Sequence, residues 1–272
     1  MQKVIDITNK YIVLATPLIL YSLISSVYLA VAASGGKIIN ILFAIILFTL
    51  MTGAFIAGWF NMIKIAIIEP NREDPNTLLK EFVGGVGEYF LPSLGAIFVM
   101  FIVSLLTLVA SYFIGINSIG DIGISAEEFS KAIENSTALK AFVTGLSFEQ
   151  LKKLNMWNLL ILGSVTITYL LFLLYMPALF FKNKNPFIAF FHSLKNLFSK
   201  KFPQTLGIFL FIFIINFLIS LFATLFGSNI IIHFIITLAN FYFVTAVGVG
   251  VFYYYYNNFI NSELGQNIDV EI

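Results

Sequence analysis

The chain has 272 residues, of which 59% are hydrophobic, 17% aromatic and only 11% charged. Soluble domains carry about 25% charged residues, so this composition excludes an ordinary soluble protein and indicates a membrane protein. A net charge of +1 gives no basis for nucleic-acid binding, and the absence of cysteine excludes disulfides and cysteine-ligated metals.

Six apolar stretches are each long enough to cross a bilayer as a helix, which takes about 20 residues. They are Tyr11–Ala33, Ile38–Met62, Leu94–Phe113, Met156–Phe181, Thr205–Phe226 and Ile230–Tyr254. Continuous apolar runs favour helices over barrel strands, in which apolar and polar residues alternate. The first stretch is longer than the apolar core of a signal peptide, so we predict that it is retained. The sequence predicts an all-α integral membrane protein, with residues 1–272 forming a single polytopic membrane domain.

Basic residues predict how the spans are oriented. Short cytoplasmic loops carry an excess of lysine and arginine. With the N-terminus in the cytoplasm, ten of the 15 basic residues fall on that side, and the others are Lys37 and four lysines of one long loop. We predict a multi-pass protein of the cell membrane with both termini cytoplasmic.

The segment after the second span, residues 75–92, has a proline at each end and separates apolar from charged side chains at helical spacing. Leu78, Phe82 and Val86 fall on one face, and charged residues such as Glu88 fall on the other. Charged side chains are costly in the bilayer core, whereas a helix lying along the membrane surface leaves them in water. We predict a cytoplasmic interfacial helix here.

Residues 115–155 form the longest segment outside the predicted spans. The stretches ISAEEFSKAIENS and LSFEQLKKLN have helical patterns, and Ser125 and Ser147 are placed to cap the helix N-termini. We predict a small extracytoplasmic helical cap. Two interpretations stay open: the segment gates a cavity or binds a partner, or it is a solvated connector.

A second cytoplasmic interfacial helix is predicted in residues 185–203, NPFIAFFHSLKNLFSKKFP. Its predicted apolar face consists of Phe187, Phe190, Phe191, Leu194 and Phe198. The residues predicted to contact lipid headgroups are His192, Lys195, Lys200 and Lys201. A spanning helix would place Lys195 near the bilayer centre, at a cost of about 3 kcal/mol that a surface helix avoids.

The two surface segments match under a shift of 111 residues, which superposes Pro75 on Pro186 and Pro92 on Pro203. This predicts a parallel repeat of span, surface helix and span over residues 38–114 and 156–226, an arrangement that some transporters use. The alternative is that any chain re-entering a membrane favours an amphipathic helix at the surface.

Two asparagines of the last two spans, Asn216 and Asn240, each lie 12 residues from Ser228 in the intervening turn. With a rise of about 1.5 Å per residue they reach the same depth, about 18 Å from the turn. We predict a side-chain amide pair that fastens this hairpin and is worth about 0.6–2 kcal/mol. The alternative is a polar patch in a substrate path.

Small residues recur at four-residue spacing in the second and sixth spans. The pairs are Gly53 with Ala57, Ala54 with Gly58, and Ala246 with Gly250. This spacing permits close helix approach. Packing within one chain and an interface between two copies are both open interpretations.

The stretch YMPALFFKNKNPFIAFFHSLKNLFSKKFPQTLGIFLFIFII, residues 175–215, resembles a loosely defined group of prokaryotic multi-span proteins. This group includes the membrane domain of some glycerophosphodiester phosphodiesterases. The shared features are a proline-containing span end, an Asn-Pro-like turn, an amphipathic helix with a Ser-Leu-Lys-like centre, and a following span. The resemblance implies the same topology and a role close to lipid. It carries over no catalytic residues, because these 272 residues include no phosphodiesterase domain.

No motif in the sequence indicates catalysis. The middles of the six spans lack Asp, Glu, Lys and Arg, which disfavours proton-coupled transport, and GxxxxGK[ST], HExxH and GxSxG are absent. We therefore expect no enzyme, no cofactor and no metal.

Two functions remain. The first is an accessory or scaffold component that contacts membrane lipids and a partner complex or a second copy. The alternative is a transporter or channel for a lipid or small apolar solute. A hollow bundle would favour the transporter, and a solid one would favour the scaffold.

Overall fold

The computed structural model describes residues 2–33, 38–132, 135–226 and 229–261. Within these ranges the chain forms helices and short connections, without any strand. Six of the helical segments are long and apolar enough to cross a membrane. The prediction of an all-α fold with six spans is therefore confirmed. The predictions that involve Lys37 and the turn residue Ser228 lie outside the described ranges.

The helices are numbered in chain order. They are α1 (Gln2–Lys10), α2 (Ala15–Ala33), α3 (Ile38–Ile68), α4 (Leu78–Ser118), α5 (Ala126–Ala132), α6 (Ser136–Gly145), α7 (Phe148–Phe172), α8 (Tyr175–Phe181), α9 (Pro186–Leu197), α10 (Phe202–Phe226) and α11 (Ile230–Tyr255). A π-helical turn, Tyr256–Ile260, follows α11.

The chain forms two compact units. Unit 1 consists of Met1–Val99 and Leu171–Ile272, and unit 2 consists of Met100–Leu170. Unit 1 therefore contains α1 to α3, the first half of α4 and α8 to α11, whereas unit 2 contains the rest of α4, α5, α6 and most of α7.

In unit 1, glycines bring α3 and α4 into close contact. A Cβ added at Gly58 would lie 2.5 Å from the ring of Phe82. One added at Gly85 would lie 2.7 Å from the carbonyl oxygen of Ala57. The small residues of the second span thus serve packing within the chain, as expected where close backbone approach replaces a hydrophobic driving force.

Residues 75–92 do not form a separate surface helix, so that prediction is wrong. A 3₁₀ turn at Pro75–Thr77 leads into α4, which continues through Pro92 to Ser118. A proline in a helix interior costs about 3 kcal/mol, because it removes one backbone hydrogen bond and crowds the preceding turn. The close contacts of this part of α4 with α3 offset that cost.

The fourth span contains a break that its apolar pattern did not predict. Helix α7 ends at Phe172 and α8 begins at Tyr175. Pro177 accounts for the break, because in a continuous helix its ring would clash with the carbonyl of Leu173, four residues earlier. The chain accordingly turns at residues 173–174.

The second surface segment does contain a separate helix, α9. Asn185 accepts hydrogen bonds from the backbone N–H groups of Phe187 at 3.0 Å and Ile188 at 3.3 Å, and Pro186 occupies the first turn. Asp74, which matches Asn185 under the shift of 111 residues, likewise accepts a hydrogen bond at the start of its segment, from the backbone N–H of Asn76. The two segments therefore start alike and end differently, and the parallel repeat stays a prediction.

Unit 2 is fastened by polar contacts between the last part of α4 and α7. The hydroxyls of Ser111 and Ser164 are hydrogen-bonded to each other. Trp157 packs directly against Gly115, where a Cβ would clash with the indole ring, and its Nε1 donates to the carbonyl oxygen of Gly120 at 3.1 Å. Gly120 has a φ of +80°, which glycine adopts without strain.

Both predicted N-caps in this region are confirmed. The N–H of Glu128 donates to Ser125 Oγ at 3.2 Å, and the N–H of Ser125 donates to the Glu128 carboxylate at 3.0 Å. The hydrogen bonds from the Ser125 N–H and hydroxyl lower the pKa of Glu128. Ser147 and Gln150 form the same reciprocal pair. Because Ser147 caps α7, LSFEQLKKLN belongs to that helix, and the connection between α4 and α7 is residues 119–147.

We expect Gly85→Ala to destabilise the protein, because the new methyl group would lie 2.7 Å from the backbone oxygen of Ala57. Overpacking of this kind costs about 1–3 kcal/mol. Gly84→Ala and Gly87→Ala are matched controls, since a Cβ at either position meets no atom within 4 Å. Alanine in a helix is favoured over glycine by about 1 kcal/mol, so both controls should be at least as stable as the parent.

The measurement is thermal unfolding of the purified protein, followed by tryptophan fluorescence. Gly85→Ala should unfold at a lower temperature than the parent and both controls. Equal midpoints for Gly84→Ala and Gly85→Ala would contradict a stabilising role for the close approach of α3 and α4.

Candidate functional site

The interior of unit 1 is filled with aromatic side chains where α3 and α11 end. Phe60 stacks on Phe252 with 5.0 Å between ring centroids, and Tyr89 stacks on Phe180 at 4.3 Å. The rings of Phe60 and Phe180 meet edge to face at 5.8 Å. Tyr89, Phe180 and Phe252 are buried. These short ring distances and the burial of three of the four rings show close packing in this part of unit 1. Each aromatic pair adds about 0.5–1.5 kcal/mol beyond its buried area.

A cluster of charged side chains borders these rings. Lys64 Nζ donates to the hydroxyl oxygen of Tyr89 at 2.7 Å and lies 5.2 Å from the centroid of the Tyr89 ring. Lys184 Nζ lies 5.1 Å from the same centroid and pairs with Glu88 at 2.8 Å. These contacts give Lys64, which lies in α3, a polar partner inside the protein. Sequence reasoning did not predict this pairing, because Lys64 and Tyr89 are 25 positions apart.

The only arginine, Arg72, stabilises the connection between α3 and α4. Its guanidinium bonds to Glu81 at 2.8 Å and to Glu69 at 3.4 Å. The hydrogen bond with Glu81 raises the pKa of Arg72, so the guanidinium stays charged. Tyr11 joins the same connection by donating to the backbone oxygens of Glu69 and Pro70, both at 2.9 Å. This network ties the first span to the second, which is a structural role.

The predicted apolar face of α9 is divided between solvent-accessible and protein-contacting side chains. Phe187, Phe191 and Phe198 are 53%, 69% and 66% exposed. Phe190 instead packs against Tyr175, with 5.6 Å between ring centroids. Leu194 is partly buried. Two phenylalanines of this helix and Phe198, the residue that follows it, are therefore exposed on one stripe.

The four predicted headgroup residues have different surroundings. Lys195 and Lys200 are exposed, and His192 is partly buried. Lys201 Nζ donates to the backbone oxygen of Asn258 at 2.8 Å and to its side-chain oxygen at 3.0 Å. Lys201 is thus held by the turn after α11, which leaves Lys195 and Lys200 as the exposed lysines. Headgroup contact by these residues stays a prediction.

The predicted asparagine pair is not seen as a hydrogen bond. Asn216 is exposed and Asn240 is partly buried. In the described parts of α10 and α11, the hydroxyls of Thr205 and Tyr254 are hydrogen-bonded at 2.8 Å, but no hydrogen bond joins the two asparagines. The observed polar link therefore lies where α10 begins and α11 ends, and the amide pair stays a prediction.

A cavity of about 900 Å³ lies between α10 and α11, with α1 as a third wall. Aliphatic and phenylalanine side chains form most of its surface, and none of the described residues that line it is charged. Val4 and Ile5 are the contribution of α1. The cavity is bounded at one end by amide and tyrosine side chains, including Gln204 and Asn257.

Helix α1 was not predicted from the sequence. Thr8 is buried, and Tyr242 donates a hydrogen bond to Asn9 Oδ1 at 2.7 Å, which ties α1 to α11. The available signal was the spacing of Val4 and Thr8 on one face. Periodicity is informative in windows of about 11–18 residues, and α1 has only nine. The contacts of α1 with α11, and not its own pattern, therefore account for this helix.

Among the described residues, no group of three or more His, Asp or Glu side chains could hold a metal ion. Comparisons with protein-family models, curated proteins and solved structures give no match for the chain. The resemblance of residues 175–215 to the phosphodiesterase-associated membrane group stays a hypothesis.

We expect Tyr89→Phe to lower the stability of unit 1. The substitution removes the hydroxyl that accepts a hydrogen bond from Lys64 Nζ and leaves a partly buried ammonium without that partner. The expected loss is about 1–3 kcal/mol. Tyr169→Phe is the control, because the Tyr169 side chain is 68% exposed. Thermal unfolding in detergent should show a lower midpoint only for Tyr89→Phe, and equal midpoints for both variants would contradict this role.

Proposed function

We propose that this protein is a non-enzymatic accessory or scaffold component of the cell membrane that contacts anionic lipid headgroups through α9. The observation that supports this role is the stripe of exposed phenylalanines beside two exposed lysines. Phe187, Phe191 and Phe198 would enter the acyl region, while Lys195 and Lys200 would stay among the headgroups. Such a division is typical of helices that lie in the membrane interface.

The proposed sidedness follows from the contacts of α9. Asn196 donates to the hydroxyl of Tyr255 at 3.0 Å, and Lys201 bonds to Asn258, so α9 lies beside the end of α11. The excess of basic residues favours a cytoplasmic location for this end of unit 1. The cytoplasmic leaflet is rich in anionic lipid, which attracts lysines near the surface.

The tightly packed aromatic interior supports a scaffold more than a channel. Stacked rings of Phe60, Tyr89, Phe180 and Phe252 occupy the space that a polar path through this part of unit 1 would need. A scaffold would bind a protein partner or a second copy, and co-purification of a stable complex from native membranes would support it. Lipid transport by the purified protein alone would contradict it.

A second candidate is a transporter for a lipid or small apolar solute, and the cavity between α10 and α11 favours it. The cavity lies within the last hairpin, and none of the described residues that line it belongs to the first predicted repeat, residues 38–114. Movement of a fluorescent lipid between the leaflets of phosphatidylcholine vesicles, dependent on the reconstituted protein, would support this candidate.

We expect the double variant Lys195→Gln/Lys200→Gln to lose selectivity for anionic lipid. Each lysine contributes about 1 kcal/mol near an anionic surface, so association with phosphatidylglycerol should fall roughly tenfold or more at low salt. The measurement is the ratio of phosphatidylglycerol to phosphatidylcholine that co-purifies with the protein from mixed vesicles, determined by mass spectrometry.

The matched control is Lys140→Gln/Lys152→Gln, which removes two exposed lysines from unit 2. It should keep the parent's lipid ratio. An unchanged ratio in the Lys195→Gln/Lys200→Gln variant would remove α9 electrostatics from the proposed function.

Lys201→Gln should lower the unfolding temperature, because it removes the bonds to Asn258.

A further inference from the structure

We propose that the cavity between α1, α10 and α11 is a binding site for one uncharged, hydroxyl-bearing glycerolipid of the diacylglycerol class. An acyl chain would lie between α10 and α11, and the glycerol would lie at the end of the cavity that contains Gln204. This site is separate from the proposed headgroup contacts of α9, and different observations carry it.

The cavity has the length of one membrane leaflet. Along α10 it extends from Gln204 to Ile215, which is about 16 Å at 1.5 Å per residue. The hydrocarbon core of a bilayer is about 30 Å thick, so one leaflet supplies about 15 Å. The volume of about 900 Å³ falls within the range of about 300–1,000 Å³ that ligand sites occupy. An acyl chain therefore fits the site in length and in polarity.

Glycine and alanine residues leave the space that forms the cavity. Gly207 lines the cavity, and a Cβ added there would meet no atom within 4 Å. Ala246 and Gly250 line it from α11, and a Cβ at Gly250 would meet Val4 of α1 at 3.5 Å. A flexible apolar chain from the membrane that lies against these side chains would gain dispersion contacts with them.

The polar end of the cavity indicates the headgroup. Within the described part of the chain, the amide of Gln204 and the hydroxyl of Tyr253 make no hydrogen bond to another residue, so both can bind a ligand. The nearby ammonium of Lys201 is already held by Asn258. Amide and phenol groups donate to and accept from hydroxyls, whereas a phosphate is bound best by arginine or lysine. This chemistry favours an uncharged glycerol over a phosphorylated headgroup.

The polar end also lies where a headgroup must be. Gln204 is in the first turn of α10, and Tyr253 is in the last turn of α11. Lys201 connects this end to the segment that follows α9. The glycerol would thus lie at the membrane surface, while the acyl chain would follow α10 toward Ile215.

The test uses the full chain reconstituted in phosphatidylcholine vesicles with a trace of diacylglycerol that carries a photoactivatable acyl chain. After irradiation, mass spectrometry of the intact protein measures labelling, and its peptides locate the label. We expect the label on α10 and α11. Gly207→Leu should reduce labelling at least about tenfold, because the new side chain fills the cavity.

Gly207→Leu should fold, since it meets no atom at its first carbon and replaces glycine in a helix. Gly163→Leu is the matched control, because Gly163 is also a helical glycine with no atom within 4 Å of an added Cβ. It should be labelled like the parent. Excess unlabelled diacylglycerol should compete, and phosphatidylglycerol should not.

Three results would overturn the proposal. Equal labelling of Gly207→Leu and the parent would show that the lipid binds elsewhere. Better competition by phosphatidylglycerol would exclude the uncharged headgroup. A dimer that dissociates in Gly207→Leu would assign the cavity to a second copy of the chain. The Lys195→Gln/Lys200→Gln variant should be labelled normally, which separates failure of this proposal from failure of the α9 proposal.

Discussion

Charged groups are expensive in hydrocarbon, and the arrangement of unit 1 depends on that constraint. Its ionic contacts lie near the ends of the spans, where Arg72 pairs with two glutamates and Lys184 pairs with Glu88. Lys64, which lies within α3, has a tyrosine hydroxyl as its partner. Because charges do not hold the spans together within the membrane, association must come from close packing and from aromatic contacts.

Glycine serves two opposite purposes in this packing. Between α3 and α4, a neighbouring group occupies the space beside each glycine: the Phe82 ring beside Gly58, and the Ala57 carbonyl beside Gly85. At Gly207 the space is open and forms part of a cavity. The first arrangement brings α3 and α4 into close contact, and the second leaves space beside α10 that the proposed lipid would occupy. The two proposed properties therefore occupy different parts of the same unit.

The effect of a proline on its helix also depends on the residues that surround it. Pro186 starts α9, with Asn185 as its cap, and Pro177 follows the end of α7 at Phe172 by five residues. Pro92 lies inside a helix that continues on both sides. Local rules account for the first two outcomes, since they depend on the backbone of the same segment. The third differs because contacts with α3 support the helix on the N-terminal side of Pro92.

The sequence by itself determined the features that depend on neighbouring residues in the chain. These are the six apolar spans, the start of α9 at Asn185, and the reciprocal caps at Ser125 and Ser147. A span depends on the transfer of one apolar segment into lipid. The helix start and the caps depend on hydrogen bonds between residues that are close in sequence. Only the tertiary structure decided which side chains of a face meet protein. It placed Phe190 and Lys201 against protein partners and left Phe191 and Lys195 exposed. It also formed the cavity that α1, α10 and α11 line. Periodicity identifies a face, but the neighbour that covers it comes from distant parts of the chain.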